Sequence, residues 1–216
     1  MGFIKKVQRS LLKGSVGYIM KKLVVATKNK GKIVELKRLL EGMNYEVLSM
    51  QDAGIDIDVV EDGTTFEENA LKKAQEIAKI SKTIVLSDDS GIEVDYLNGE
   101  PGIYSARFGG PELDDEGRNQ LLLTKLAGVP DEKRTARYVC AIAVVFTDGS
   151  NVIIRDTCEG VINHKGVGDK GFGYDPLFYL PEYGKTMAQL DMDIKNKISH
   201  RGKALQKMVQ ELKQRD

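Results

Sequence analysis

The chain of 216 residues is predicted to be α/β, with a mixed, twisted central sheet, flanking helices, and two lobes around an active-site cleft. Three observations predict this. The first 90 residues or so alternate short β-branched runs with stretches of helical periodicity, the pattern of βαβ units on a parallel sheet. Residues 136–162 read instead as two long strands joined at Asp148-Gly149, an antiparallel hairpin. Between these regions lie glycine-rich polar loops, where a chain leaves its core to meet a ligand. The length fits one domain with a sizeable core.

The elements follow in order. "KKLVVAT" is a short apolar strand, and "GKIVELKRLLEGM" places Ile33, Leu36, Leu39 and Leu40 at helical spacing. "YEVLSM" returns as a second strand, which closes a βαβ unit. "TTFEENALKKAQEIAKI" puts Phe66, Ala70, Ala74, Ile77 and Ala78 on one helical face, with Thr65 and Glu68 spaced as a capping box. "TIVLS" is the strand to which that helix leads. "GIEVDYL" ends at Asn98-Gly99, a tight-turn dipeptide, and a glycine-rich loop runs on to Gly110. A helix is expected across "DEGRNQLLLTKLAG", then the hairpin, the loop "HKGVGDKGFGYDP", and an amphipathic tail helix beginning near Ser199. Residues 1–19 are assigned to an extension outside the fold and 20–216 to the domain, because Met20 stands directly before the first strand. The extension lacks the apolar core and cleavage site of a signal peptide, and Lys6 stands where a myristoylation signal needs Ser or Thr. The alternative is a basic amphipathic helix docking on a membrane or partner.

Composition narrows the function. Lys plus Arg equals Asp plus Glu at 32 each, so no global basic field argues for nucleic acid, and an anionic ligand must be held by a local cluster. No run is long enough to span a bilayer, so no membrane partner is expected. Cys140 and Cys158 lack metal-ligand spacing and read as free thiols in a reducing compartment, with a disulfide between them the alternative. Two distant histidines, His164 and His200, argue against a zinc site.

Four stretches carry candidate chemistry. In "ATKNKGK", Lys28, Lys30 and Lys32 add charge to a helix N-terminus that already attracts anions, a phosphate cradle without Walker A spacing. In "LSDDSG", Asp88 and Asp89 are read as adjacent carboxylates at the C-terminal end of a strand. They would repel one another unless a cation offsets the charge, which suits Mg²⁺, with Glu61 or Asp62 as a further ligand. "GFGYDP" sets Phe172 and Tyr174 around a glycine as faces on which a base could stack. "SHRGKAL" offers His200 and Arg201 as donors to a carbonyl or phosphate. Each has a bland reading as a turn, a solvated charge or a buried aromatic.

Taken together, "TKNKGK", "SDDSGIEV", "GEPGIYSARFGG", "GFGYDP" and "ISHRGKAL", in this order and spacing, resemble the inosine triphosphate pyrophosphatase family over residues 20–216. That resemblance implies Mg²⁺-dependent hydrolysis of non-standard purine nucleoside triphosphates (ITP, dITP, XTP) to the monophosphate and pyrophosphate, by a cytoplasmic homodimer. It also implies the roles. Thr27, Lys28, Asn29, Lys30, Gly31 and Lys32 would hold the phosphates with Lys73. Glu61 and Asp89 would serve the metal, with Asp89 the base and Ser90 touching substrate. Phe172, Gly173, Tyr174, Asp175, Lys195, His200 and Arg201 would enclose base and sugar. Two rivals remain: a septum-inhibitor type pyrophosphatase acting on pyrimidine or modified nucleotides, and a nucleotide- or RNA-binding module that does not hydrolyse.

Overall fold

The computed structural model describes residues 20–27 and 30–215. The extension at 1–19, Lys28, Asn29 and Asp216 lie outside them, as do the side chains of Lys30 and Glu35. The chain opens β1 (Lys21–Val25), α1 (Lys30–Leu39), β2 (Tyr45–Ser49), α2 (Phe66–Ser81) and β3 (Ile84–Val94). It continues through α3 (Asp115–Lys125), β4 (Thr135–Val145), β5 (Asn151–Ile162), β6 (Phe178–Leu180) and β7 (Lys185–Thr186) to α4 (Met192–Ile198) and α5 (His200–Gln214). All seven strands form one sheet in the order β2-β1-β3-β4-β5-β6-β7. β1 lies parallel to β2 and β3, and every later pairing is antiparallel, so the sheet is mixed as expected.

Local chemistry explains the boundaries. Thr65 caps α2 by accepting from the Glu68 N–H, but the Glu68 carboxylate accepts from Thr64 N at 2.7 Å instead of reaching the cap, so half of the expected box forms. Lys82 ends α2 in the left-handed region at φ 54°, its N–H returning to the Ala78 carbonyl. Ser199 caps α5 by accepting from Gly202 N, where the tail helix was expected to begin. α3 stops at Lys125, before the expected Gly128, and the short elements α4, β6 and β7 carry too few residues to show a period in sequence.

The strand carrying the aspartate doublet corrects the sequence reading. "TIVLS" does not end at the acids: β3 is one strand of 11 residues with Asp88 and Asp89 near its middle. Its parallel partner β1 stops at Val25, opposite Leu86, whereas β4 stays paired along β3 from Val85 to Val94. One ladder therefore continues through the acids while the other edge of β3 opens. Because side chains alternate along a strand, Asp88 and Asp89 point to opposite faces of the sheet. They are not a side-by-side pair.

The same alternation lays out the core. On one face, α1 and α5 cover Leu23, Val25, Leu86, Cys140, Ile142 and Val144. On the opposite face, α2 packs Phe66, Ala70, Ala74 and Ile77 over Val24, Val85, Val139 and Ala141. Farther along the first face a second cluster gathers Ile92, Val94, Phe108, Leu122, Tyr138 and Phe178 into the other lobe. Leu86 belongs to one cluster and Ile92 to the next, so Asp88 and Ser90, on the same face, fall in the gap between lobes. That gap is the cleft. Both cysteines are buried and free. Among the described residues no helix is long and apolar enough to cross a membrane.

Candidate active site

Two hollows meet where β1 ends. The smaller, about 200 Å³, is lined by Thr27, Lys32, Asp58, Glu61, Lys73 and Asp88, with an apolar floor from Met50 and Ile77. The larger, about 660 Å³, is walled by Ser90, Tyr138, the 171–175 loop, Lys195, His200 and Arg201. Lys32 lines both. The described residues expected to hold phosphate thus collect in one hollow with Glu61, those expected to hold base and sugar collect in the other, and a lysine stands at the junction.

The two aspartates serve different faces. Asp88, 8% exposed, is paired with Lys32 Nζ at 2.6 Å and with Arg201 Nη2 at 3.1 Å. Burial alone would push its carboxyl up, but the Lys32 and Arg201 charges outweigh burial and hold it well below the usual carboxylate range. On the α2 face, Asp89 accepts from Asn69 Nδ2 at 3.0 Å and, through its other oxygen, from Ser90 N at 2.8 Å. Burial, reinforced by the charge of Glu61, leaves the Asp89 carboxyl raised even though the Asn69 bond and Lys73 pull the other way. Asp89 lines neither hollow, yet it feels both Glu61 and Lys73, which form an ion pair in the smaller one.

Asn69 escaped the sequence reading. It is 1% exposed, and its Oδ1 accepts from Gly63 N at 2.8 Å, so the amide is oriented with Nδ2 toward Asp89. The signal was present: an asparagine, a poor helix former, next to Ala70 on the buried face of a predicted helix needs a partner. Asp88 had been read as the second half of a metal pair, and Tyr138 gave no signal at all.

In the larger hollow, α5 begins with His200 stacked on Tyr138, ring centroids 4.8 Å apart. Burial first, then the nearby Arg201 and Lys195 charges, bring the imidazole down to about 3, so the ring is neutral near pH 7. Its Nδ1 is buried without a partner. Asp175, also buried, accepts from Tyr138 Oη at 3.1 Å and Phe172 N at 3.0 Å and pairs with Lys195. The loop around Gly173 is pinned from α3, with Gly173 N donating to Asp115 Oδ2 at 2.7 Å and Asn119 Nδ2 donating to Gly173 O at 3.0 Å. Phe172 stands 66% exposed with Lys195 Nζ 5.3 Å from its ring centre, so one expected stacking face is presented. Tyr174 differs. Its ring is buried in the second lobe and its hydroxyl donates to Ser105 O at 2.9 Å, which makes it wall and not platform.

Among the described residues no three His, Cys, Asp or Glu side chains cluster as a cage. Magnesium at nucleotides needs no cage, because one or two carboxylates suffice when phosphate and water complete the shell. Glu61 and Asp89, coupled through space at the α2 face, fit that requirement; Asp62, paired with Lys72 at the surface, does not join them.

The comparisons with known proteins agree in extent with this architecture. The profile of the Ham1 family matches residues 23–211. A dITP/XTP pyrophosphatase of Clostridium perfringens is 49% identical over 200 residues, covering 90% of this chain and 98% of that protein. One of Desulforamulus reducens is 51% identical over 189 residues, covering 88% and 94%. The solved structure of the Staphylococcus aureus Ham1 protein superposes with a TM-score of 0.85 at 41% identity, covering 91% of this chain and all of that one. That of a HAM1 protein from Coxiella burnetii gives 0.86 at 36% identity, covering 90% of this chain and all of the other.

Proposed function

The chain belongs to the Ham1 family, and from that membership we propose that it hydrolyses dITP, ITP and XTP to the monophosphate and pyrophosphate with Mg²⁺. The observation that carries the reading is the pair of hollows joined at Lys32, one lined with charge for a phosphate chain and the other with an aromatic and donors for a base. The relatives named dITP/XTP pyrophosphatase give the substrate class.

Hydrolysis between the α- and β-phosphates needs a water at the α-phosphorus and an outlet for charge on the departing pyrophosphate. Asp89 supplies the base, a carboxylate placed on the α2 face beside Glu61 and Lys73. Asn69 and Ser90 N fix its oxygens, so the proton is taken at a set position. Lys32 and Lys73 stand in the smaller hollow to meet the phosphate charge. Mg²⁺ held by Glu61 and Asp89 would add further neutralisation of the triphosphate. In the larger hollow Phe172 offers a stacking face, and Arg201 with neutral His200 offers N–H donors to a 6-keto oxygen. Adenine presents an amine there, leaving those donors unpaired, which discriminates against ATP.

The reading extends to a homodimer in the cytoplasm, as the family resemblance implied, and the two buried free thiols suit a reducing compartment. The test is pyrophosphate release from dITP, ITP, XTP, GTP and ATP with and without Mg²⁺. Release from the first three that stops on chelation is expected. Preference for a pyrimidine triphosphate would favour the septum-inhibitor type, and no release from any would favour a binding module.

A further inference from the structure

Asp88 has no part in the chemistry assigned above, yet it is buried in the cleft between two cations. A single oxygen, Oδ2, lies 2.6 Å from Lys32 Nζ, 3.1 Å from Arg201 Nη2 and 3.3 Å from Arg201 Nε. Lys32 comes from α1 and lines both hollows; Arg201 comes from the first turn of α5 and lines the larger. The same Nη2 lies 2.9 Å from Ser90 Oγ, two residues along β3 on the same face. The guanidinium is therefore tied to one strand at two points along one edge. The ties fix where that edge of the group lies over the strand.

We propose that Asp88 is the positioning residue for substrate selection, a buried carboxylate that sets Lys32 and Arg201 at a fixed spacing and so couples the phosphate end of the cleft to its base-reading end. This rests on the function proposed above. A metal-ligand role for Asp88 fits poorly. It faces away from Asp89, and its Oδ2 already meets two cations. Its charge is needed because two cations drawn into one cleft repel each other unless an anion stands between them. Asparagine at this position keeps the shape and can turn its carbonyl oxygen toward Lys32 and Arg201, but it removes the charge that offsets theirs.

The test is a double-mutant cycle read on kcat/KM for dITP and dATP, with thermal unfolding to verify folding. Asp88→Asn is expected to lower the dITP:dATP ratio roughly ten- to thirty-fold, the scale of one lost charge-assisted bond, and to raise KM for dITP more than it lowers kcat. Combined with Arg201→Ala, it should lower the ratio no further than Arg201→Ala alone, because both changes remove the same guanidinium placement. An unchanged ratio in Asp88→Asn, or effects that multiply in the double variant, would overturn the proposal. Asp88→Glu keeps the charge but moves it by one methylene. It should give a smaller, equally non-additive loss, and it decides the matter if Asp88→Asn does not fold. Should the wild type fail to turn over dITP, the proposed function falls, and the same cycle on dissociation constants for dIMP and dAMP, by calorimetry, tests the placement of Arg201 by itself.

Discussion

His200→Phe should flatten the acid dependence of folding stability. The imidazole is buried against Tyr138 with its Nδ1 unpartnered, and burial together with Arg201 and Lys195 brings it down to about 3. In the unfolded chain the same group titrates near 6.5. Between those values the unfolded chain takes up a proton that the folded one refuses. Stability is therefore complete above pH 6.5 and falls as the pH drops, by up to about 1.4 kcal/mol per pH unit. From pH 7.5 to 5 the loss is about 2 kcal/mol, and the ceiling over the whole window is about 5 kcal/mol. Phenylalanine keeps a ring over Tyr138, removes no bond at Nδ1 and cannot titrate. Asp88 does not confuse the reading, because its depressed carboxyl contributes stability that is lost only below the ordinary value of 3.8. Asp89, shifted upward, acts with the opposite sign but is present in both proteins and cancels in the difference. Urea unfolding of the two proteins at pH 7.5, 6.5, 5.5 and 5.0 measures the gap between them. The wild-type free energy should fall relative to the variant by about 2 kcal/mol over that whole range. Parallel curves would refute the neutral, desolvated ring.

Two further outcomes follow from particular contacts. Asp89→Asn should cost about 10²- to 10⁴-fold in kcat, the usual worth of a placed base. Its fold should survive, since relief of the buried charge offsets the one bond that an amide facing Asn69 Nδ2 or Ser90 N must lose; a rate near wild type would remove Asp89 from the mechanism. Gly202→Ala adds a Cβ that overlaps the Asn196 carbonyl where α4 abuts α5. Forcing those helices apart should cost about 1–3 kcal/mol, roughly 2–12 °C in melting temperature, and should raise KM by displacing His200 and Arg201. An unaltered melting temperature would show that the close approach is not required.

The sequence by itself determined the βαβ opening, the cap on α2, the long hairpin and the start of α5, because each is written in local periodicity or in a capping residue within one turn. It also put forward, through five motifs in one order and spacing, the described residues that the fold gathers into the two hollows. What it could not determine was pairing across distance. Whether β3 ends at its acids depends on β4, whose residues lie some 50 positions later, and that strand's continued ladder turned an expected strand end into a strand middle. Once the strand continues, the alternation of side chains sends Asp88 toward α1 and α5 and Asp89 toward α2, separating two neighbours that look equivalent in the chain. Likewise Tyr174 reads as a platform until the second lobe closes over it, and the partners of Asn69, Gly63 and Asp89, are set only by the fold. Which face a residue addresses, and what it meets there, was decided only when the sheet formed.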